Sequence, residues 1–269
     1  MAELTPRFKE EQVFIIEAFI AHSVRESHRK GVVLGLSGGV DSALVAKLCA
    51  DALGPAKVLA VGMPDGKGGK DRKEARKFAK ALGLDFRIVN IGPIATALEK
   101  RLKAFGADAV TRGNLRARAR MIVLYFLANT EDRVVIGTGN KSEILLGYFT
   151  KWGDGGSDFL PIGDLYKTQV REMARHLALP PTIVERTPTA GLWPGQTDEG
   201  ELGMTYDEID RILLGIELQM EPEAIAEKAG VPLDHVRHVG QLVAASVHKR
   251  KMPLIPKLGI RTIGLDWRE

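Results

Sequence analysis

The sequence has a single cysteine, Cys49, and few aromatic residues, with Phe, Trp and Tyr together making up 6% of the chain. One cysteine excludes an internal disulfide, and no set of cysteine and histidine residues has the spacing of a zinc site. No apolar run approaches the roughly 20 residues that cross a bilayer, and the first residues lack the apolar stretch of a signal peptide. We therefore expect a cytosolic protein without a membrane segment.

Neither sign of charge is in large excess, since 38 Lys and Arg against 34 Asp and Glu leave a formal net charge of +4. Such a balance suits a protein that handles phosphates, but it is too mild to indicate nucleic acid. The length of 269 residues and the hydrophobic content of 45% are enough for one large α/β domain with a sizeable core. We expect residues 1–269 to form a single domain.

Short apolar runs alternate with helical patterns along the first half of the chain. The runs that have the composition of buried parallel strands are 31–36, 58–63, 86–89 and 134–136. The helical patterns are 7–29, 41–53, 71–83, 93–104 and 114–130. This alternation predicts an α/β fold with a doubly wound, Rossmann-like parallel sheet and helices on both faces. Ligands of such sheets bind beyond the carboxyl ends of the strands, so the segments after Leu36, Met63 and Ile136 are of most interest.

Two Gly/Pro-rich stretches, 64–70 and 194–205, are expected to be loops. Their place near the predicted site suggests lids, although composition alone fits plain solvated turns equally well. The pattern is helical again from about residue 207 and ends in the basic run 248–251, which by itself is typical of a solvated face.

The strongest local signal is Ser37-Gly-Gly-Val-Asp-Ser42, which follows the first predicted strand and opens a helix. Glycines let backbone amides approach a ligand closely, and a helix N-terminus attracts anions. The simpler alternative is a glycine-rich turn in which Asp41 or Ser42 caps the helix. The loop has neither the Gly-Lys-Ser/Thr of a Walker A motif nor the Gly-x-Gly-x-x-Gly of a dinucleotide site.

The carboxylate of Asp41 stands where phosphate is expected to bind. A carboxylate and a polyphosphate repel each other unless a divalent cation lies between them, so the loop implies Mg²⁺. Backbone donors and a metal together are suited to holding a departing pyrophosphate. The expected chemistry is attack at the α-phosphate of ATP, which gives an adenylate.

The Ser-Gly-Gly-x-Asp-Ser string resembles the phosphate loop of the ATP pyrophosphatase superfamily, whose fold is called adenine nucleotide alpha hydrolase-like. Other segments narrow the resemblance: 113–121, 137–143, 147–158, 161–168, 188–193 and 195–199. From about residue 10 to residue 251 these ordered motifs are similar to those of ammonia-dependent NAD⁺ synthetases. That family joins ammonia to deamido-NAD⁺ through an adenylate and releases AMP and diphosphate.

The resemblance implies a role for a defined set of residues. On the ATP side these are Gly35, Leu36, Ser37, Gly38, Gly39, Val40, Asp41, Ser42, Met63, Thr138, Lys167 and Thr189. Around deamido-NAD⁺ they are Arg118, Lys151, Asp158, His248 and Lys249, and on Mg²⁺ they are Asp41 and Glu143. Three catalytic residues are expected: Asp41, Lys167, which offsets negative charge in the transition state, and Asp154, which takes a proton from ammonium.

Simpler interpretations stay open for some of these residues. Glu143 has the sequence position of a helix-capping acid, and Met63 is as plausible in the core as against adenine. Arg118 and the pair His248 and Lys249 are typical of a solvated surface when taken alone. Arg116, Arg118 and Arg120 cannot all share one helix face.

The resemblance also implies a homodimer in which both chains shape the deamido-NAD⁺ site. Since the chain has no room for the nitrilase-like amidase domain of glutamine-dependent synthetases, we expect free ammonia to be the nitrogen donor. Cys49 is expected to be a small core residue. No nucleic acid or membrane partner is expected. The alternative is another ATP pyrophosphatase that adenylates a different carboxylate or a tRNA.

Overall fold

A computed structural model of the chain describes residues 4–66, 70–189, 191 and 195–263, with the side chains of 70–72 left aside. Its central sheet has four parallel strands in the order β3-β2-β1-β4. The strands are β1 (Gly31–Gly35), β2 (Val58–Gly62), β3 (Asp85–Ile88) and β4 (Arg133–Ile136). Each lies within one residue of its predicted run, so the parallel α/β sheet is confirmed.

Helices account for most of the remaining chain. Their bounds are α1 (Glu11–Glu26), α2 (Val40–Leu53), α3 (Lys70–Ala81), α4 (Gly92–Leu102), α5 (Ala109–Glu131), α6 (Lys141–Leu146), α7 (Lys167–His176), α8 (Pro181–Val184), α9 (Asp198–Leu202), α10 (Tyr206–Glu217), α11 (Pro222–Ala229) and α12 (Leu233–Ala245). Helix α5 starts five residues before its predicted bound because the Asp108 side chain accepts from the Thr111 amide and caps it. Helix α1 starts later than predicted because the Phe8 amide donates to Glu172 instead of entering the helix.

The sheet is covered on both faces, as the doubly wound arrangement requires. Along β1, Val32 and Leu34 point into a core formed with α1, α2 and α7, whereas Val33 points to the opposite face and packs with Ala128 of α5. This alternation follows from the two-residue period of a strand. Cys49 lies in the first core and is fully buried, as predicted.

A second apolar cluster brings α6 together with α10, α11 and α12 around Tyr206, Ile209 and Val239, all of them fully buried. This cluster fixes the position of α10 against α6 and α7, and both of those helices carry predicted site residues. No helix within the described ranges combines the length and the apolar character needed to span a lipid bilayer.

Candidate functional site

The functional site forms at the switch point of the sheet, beside the carboxyl ends of β1 and β4. These strands are neighbours, and the chain leaving β1 crosses to β2 on the other side, so a crevice opens between the two strand ends. The loop after β1 supplies Asp41 at the start of α2, and the segment after β4 supplies Asn140 and Glu143 at the start of α6. Because β1 and β4 are adjacent and parallel, the segments that follow them meet at the same edge of the sheet.

The glycine-rich loop is held open by its two serines. Ser42 Oγ accepts from the Ser37 amide at 3.2 Å and donates to the Gly39 carbonyl at 3.0 Å. Gly38 has a φ of +88°, which glycine adopts without strain. Gly39 is the N-cap residue and provides no side-chain cap, so neither Asp41 nor Ser42 caps α2. The first amides of α2 are consequently available to an anion.

Lys167 lies between two acids. Its Nζ is 2.6 Å from Asp41 Oδ2 and 3.3 Å from Glu143 Oε1, and the residue is 2% exposed. Asn140 orients both carboxylates, since its Nδ2 donates to Asp41 at 2.9 Å and its backbone amide donates to Glu143 at 3.2 Å. Glu143 thus caps α6 and faces the site at once, so the two interpretations of this residue are compatible.

The charges of this cluster are unbalanced by one. Burial works against the charge of Lys167, but the Asp41 and Glu143 carboxylates outweigh it and raise the pKa of the ammonium above its usual value. Burial raises the pKa of Glu143 to about 8, with Lys167 opposing that shift and Asp41 adding to it. One lysine cannot neutralise both carboxylates when both are ionised; the raised pKa of Glu143 reflects this excess of negative charge, which a further cation would offset.

The donor set is consistent with Mg²⁺. Asp41 and Glu143 are hard oxygen ligands that converge on one point, Lys167 Nζ, and Mg²⁺ in nucleotide sites is held by one or two carboxylates together with substrate phosphates. Among the described residues no group of three His, Cys, Asp or Glu side chains has the arrangement of a metal site. Phosphate oxygens would therefore have to complete the coordination.

The basic run 248–251 lies at the C-terminal end of α6, opposite the end that carries Glu143. Lys249 Nζ donates to the carbonyls of Gly147 at 2.6 Å and Phe149 at 2.9 Å, and Arg250 donates to the carbonyl of Leu145 at 2.7 Å. Both residues are half-buried, so the interpretation of the run as a merely solvated face is wrong for them. Burial lowers the pKa of Lys249, with Asp154 opposing the shift.

Three of the residues expected around deamido-NAD⁺ lie side by side. Lys151 Nζ donates to the carbonyls of His248 at 2.6 Å and Lys251 at 3.2 Å, and the Arg118 guanidinium donates to the Lys151 carbonyl at 3.3 Å. Arg118 and His248 are exposed. The side chains of these residues thus form an open basic rim.

The two aspartates of the 147–158 segment have different surroundings. The Asp154 carboxylate accepts from the Thr150 amide at 2.9 Å, and although the residue keeps an exposed face, desolvation by the adjoining protein raises its pKa. Asp158 accepts from the Val135 amide at 2.7 Å and from the Tyr125 hydroxyl at 3.1 Å. It therefore contacts α5 and β4, and these two partners lie outside the basic rim.

The remaining ATP-side residues border the loop less directly. Met63 is half-buried and packs with Val123 and Leu127, so it belongs to the core even though a side chain at Gly35 would touch it. Thr189 donates to the Gln196 carbonyl at 2.8 Å. Leu36 and Val40 are buried, and Thr138 is half-buried.

Several residues that organise the site are not among the predicted site residues. Asn140 and Arg250 belong to this group, and so does Asp210, which is fully buried beside α6 and α7. Arg186 reaches the Gly38 carbonyl at 3.4 Å from beyond α8. Arg120, whose pKa is lowered by burial, donates to the Met63 carbonyl at 3.1 Å. Their long-range partners lie 42 to 148 residues away along the chain, which is why spacing does not reveal these contacts.

The arginines of α5 do point in different directions. Arg116 pairs with Asp65 and Glu99, Arg120 faces the end of β2, and Arg118 faces the basic rim. The predicted lids lie partly outside the described residues, which omit 67–69, 190 and 192–194. Their role as lids stays a prediction.

Solved structures resemble this chain over nearly all its length. The NMN synthetase of Francisella tularensis superposes with a TM-score of 0.83 and 34% identity, covering 94% of this chain and 100% of that one. The NH3-dependent NAD synthetase of Campylobacter jejuni superposes with a TM-score of 0.79 and 32% identity, covering 92% and 98%. The fold is therefore adenine nucleotide alpha hydrolase-like, as predicted.

Other relatives have a higher sequence identity to this chain than these two solved structures do. The NH(3)-dependent NAD(+) synthetase of Methanococcoides burtonii is 48% identical over 246 residues, which are 91% of this chain and 94% of the relative. The enzyme of the same name from Pyrococcus furiosus is 47% identical over 236 residues, 87% of this chain and 91% of the relative. The family model described as NAD synthase matches residues 13–253. The chain belongs to the NAD synthase family.

Proposed function

We propose that the chain is a ligase that amidates deamido-NAD⁺ with ammonia and ATP, giving NAD⁺, AMP and diphosphate. The observation that carries this proposal is the cluster of Asp41, Lys167 and Glu143 beside a phosphate loop that ends in a carboxylate. A loop built for a terminal phosphoryl transfer would need no acid in this place. An acid–lysine–acid cluster suits a site where pyrophosphate leaves.

The first half of the reaction activates a carboxylate. An oxygen of the nicotinate carboxylate attacks the α-phosphorus of ATP, the bond from that phosphorus to the bridging oxygen breaks, and pyrophosphate leaves. Lys167 holds positive charge where the leaving group gains negative charge, and the first amides of α2 hold the pyrophosphate. Asp41 and Glu143 are the residues that would hold Mg²⁺, which would offset phosphate charge when bound.

The second half forms the amide. Ammonia attacks the acyl carbon, the carbon–oxygen bond to AMP breaks, and a proton must leave the nitrogen. Asp154 is the proposed acceptor, because its raised pKa makes the carboxylate a stronger base than an ordinary aspartate. The nearby Lys249 and the rim of Arg118 and Lys151 supply the positive charge that an anionic dinucleotide requires.

Ammonia, and not glutamine, is the proposed nitrogen donor. The chain covers 94% of the length of the NH(3)-dependent relative from Methanococcoides burtonii but 50% of the glutamine-dependent NAD⁺ synthetase of Acinetobacter baumannii. Glutamine hydrolysis by a cysteine requires a reactive thiolate. The single cysteine, Cys49, is fully buried, and burial raises the pKa of its thiol. We propose that residues 1–269 act as one synthetase domain in the cytosol.

A homodimer is proposed because α5 presents an apolar stripe in line with Arg118. Arg118, Ile122 and Phe126 are spaced by four residues and share a helix face, with Ile122 56% and Phe126 68% exposed. Large apolar side chains that are exposed next to one another on a surface are typical of a contact with another molecule. A second copy on this stripe would lie next to the basic rim.

The test is a single assay with separable arms. The purified chain is mixed with ATP, Mg²⁺, ammonium and deamido-NAD⁺, and NAD⁺ and AMP are measured. Equal amounts of NAD⁺ and AMP support the proposal, and ADP in place of AMP contradicts it. Parallel arms replace ammonium by glutamine, and deamido-NAD⁺ by nicotinate mononucleotide, the acid expected for a neighbour named NMN synthetase. Preferred turnover of the mononucleotide would overturn the assignment of substrate, and equal turnover with glutamine would overturn that of the donor.

A further inference from the structure

Helix α7, which carries Lys167 in its first turn, caps its own N-terminus only in part: Gln169 Oε1 accepts from the Tyr166 amide at 2.9 Å. Tyr166 stands at the N-cap position, and its hydroxyl donates to Glu217 instead. The first amides of α7 find acceptors on other elements: the Lys167 amide donates to Ser142 Oγ at 2.9 Å, and the Thr168 amide donates to Asp210 at 2.8 Å. The position of the lysine thus depends on partners from α6 and α10.

Asp210 joins three helices with one carboxylate. It is fully buried on α10, and Oδ2 accepts from both the amide and the hydroxyl of Thr168, each at 2.8 Å. Oδ1 accepts from the hydroxyl of Ser142 on α6. Three donors satisfy a buried carboxylate, and a negative charge at the N-terminus of α7 is favourable.

Each residue held by Asp210 is next to a residue of the acid–lysine–acid cluster. Ser142 precedes Glu143, and Thr168 follows Lys167. We propose that Asp210 is a positioning residue that sets the register of α6 and α7, so that Lys167 and Glu143 meet at Asp41. This inference rests on the proposed function in one respect: the assay that tests it measures the formation of NAD⁺.

A second contact from the same helix supports the lysine itself. Tyr206 lies four residues before Asp210 and therefore on the same face of α10, and Lys167 Nζ is 5.2 Å from the centre of its ring. Helix α10 thus holds the backbone next to Lys167, at Thr168, through Asp210, and it contacts the side chain of Lys167 through Tyr206. A local Ser or Asp that capped α7 would not provide both of these contacts.

The substitution Asp210→Asn tests the proposal with little change of volume. Ser142 Oγ already accepts from the Lys167 amide and needs an acceptor for its own proton. An asparagine amino group facing Ser142 offers only donors, and the flipped side chain would face the Thr168 amide with the same conflict. We expect kcat for NAD⁺ formation to fall about 100-fold, the effect of misplacing a reacting group by about 1 Å. The dissociation constant for ATP should rise by a smaller factor than kcat falls, because the loop 37–42 keeps its contacts while Lys167 and Glu143 shift.

The matched control is Asp207→Asn on the same helix, where the carboxylate is 65% exposed and pairs with Arg211 in α10 itself. We expect wild-type kcat for this variant. Turnover by the wild-type chain is measured first, so a failure of the proposed function is recognised separately. Active-site titration separates a lower rate from a smaller folded fraction.

An Asp210→Asn variant that is fully folded and keeps kcat within twofold of wild type overturns the proposal. So does a parallel loss of ATP binding and kcat, because a collapsed site would then explain both. If Asp210→Asn does not fold, Ser142→Ala and Thr168→Val decide the matter, since each removes one hydroxyl that binds Asp210. A fall in kcat of about tenfold with unchanged ATP binding supports the proposal. Wild-type kcat in both variants overturns it.

Discussion

At the residue scale, the candidate site depends on the charged amino group of Lys167, which lies between two carboxylates. Lys167 is almost fully buried, yet its charge is maintained because Asp41 and Glu143 lie within 3.3 Å of Nζ. The loop after β1 could be predicted from sequence, whereas the cation-binding role of Asp41, inferred from the repulsion between a carboxylate and phosphate, stays a prediction. The contact between Asp41 and Lys167 could not be predicted from spacing, because 126 residues separate them and only the packing of α7 on α2 joins them.

Lys167→Met should abolish most of the first half-reaction. The methionine matches the stem of the lysine in size but leaves two facing carboxylates without their common cation. We expect exchange of labelled pyrophosphate into ATP, measured with deamido-NAD⁺ present, to slow about 100- to 1000-fold. The control Lys77→Met removes an exposed lysine of α3 and should exchange at the wild-type rate. Exchange by Lys167→Met within threefold of wild type would refute the role of the lysine.

Asp154→Asn should change how the rate depends on pH. Ammonium must lose a proton before it attacks, and the raised pKa of Asp154 suits it to receive that proton. With asparagine, we expect the rate at fixed total ammonium to rise in proportion to the fraction of free ammonia as the pH increases. The wild-type rate should rise less steeply. Asp164→Asn, at a carboxylate that is 96% exposed, serves as the control. Identical pH profiles for all three proteins would remove Asp154 from the mechanism.

At the element scale, the short helix α6 separates the two halves of the site. Its N-terminus presents Glu143 to the phosphate loop, and its C-terminal carbonyls bind Lys249 and Arg250. The four strands could be predicted because each is an apolar run between turns. Helix α6 escaped prediction because it has six residues, and its last carbonyls are satisfied by cations more than 100 residues away.

Arg250→Met should loosen the junction of α6 and α12. The guanidinium donates to the carbonyls of Leu145 and Val243 and to Ser246 Oγ, and the substitution removes these charge-assisted hydrogen bonds from half-buried acceptors. We expect the free energy of unfolding in urea to fall by about 2 kcal/mol. We also expect KM for deamido-NAD⁺ to rise more than KM for ATP. The control Arg237→Met removes an arginine that is 57% exposed and should leave both quantities unchanged. Equal stability of the two variants would contradict the anchoring role of Arg250.

At the scale of the whole molecule, the exposed stripe of α5 lies where the proposed dimer contact would adjoin the proposed deamido-NAD⁺ site. The doubly wound parallel sheet could be predicted, but a single sequence does not show which amphipathic faces stay uncovered. Ile122 and Phe126 have the same apolar character as core residues, and only the packing of the sheet reveals that they are exposed.

Phe126→Asp should therefore separate the proposed dimer. Light scattering during gel filtration should give about twice the chain mass of 29.4 kDa for the wild type and a mass close to one chain for the variant. The control Leu218→Asp changes another apolar residue, 59% exposed and outside α5, and should remain dimeric. We expect the monomeric variant to bind deamido-NAD⁺ more weakly. A wild-type protein of one-chain mass would contradict this prediction.

The proposed adenylation is tested most directly by following one oxygen atom of the substrate. Deamido-NAD⁺ labelled with ¹⁸O in its nicotinate carboxylate is converted with ATP and ammonium, and the phosphates are analysed by mass spectrometry. Attack of the carboxylate on the α-phosphorus predicts one ¹⁸O atom in each AMP and none in the pyrophosphate. Label in any released inorganic phosphate or pyrophosphate, or AMP without label, would contradict the adenylation that the Asp41, Lys167 and Glu143 cluster is proposed to promote.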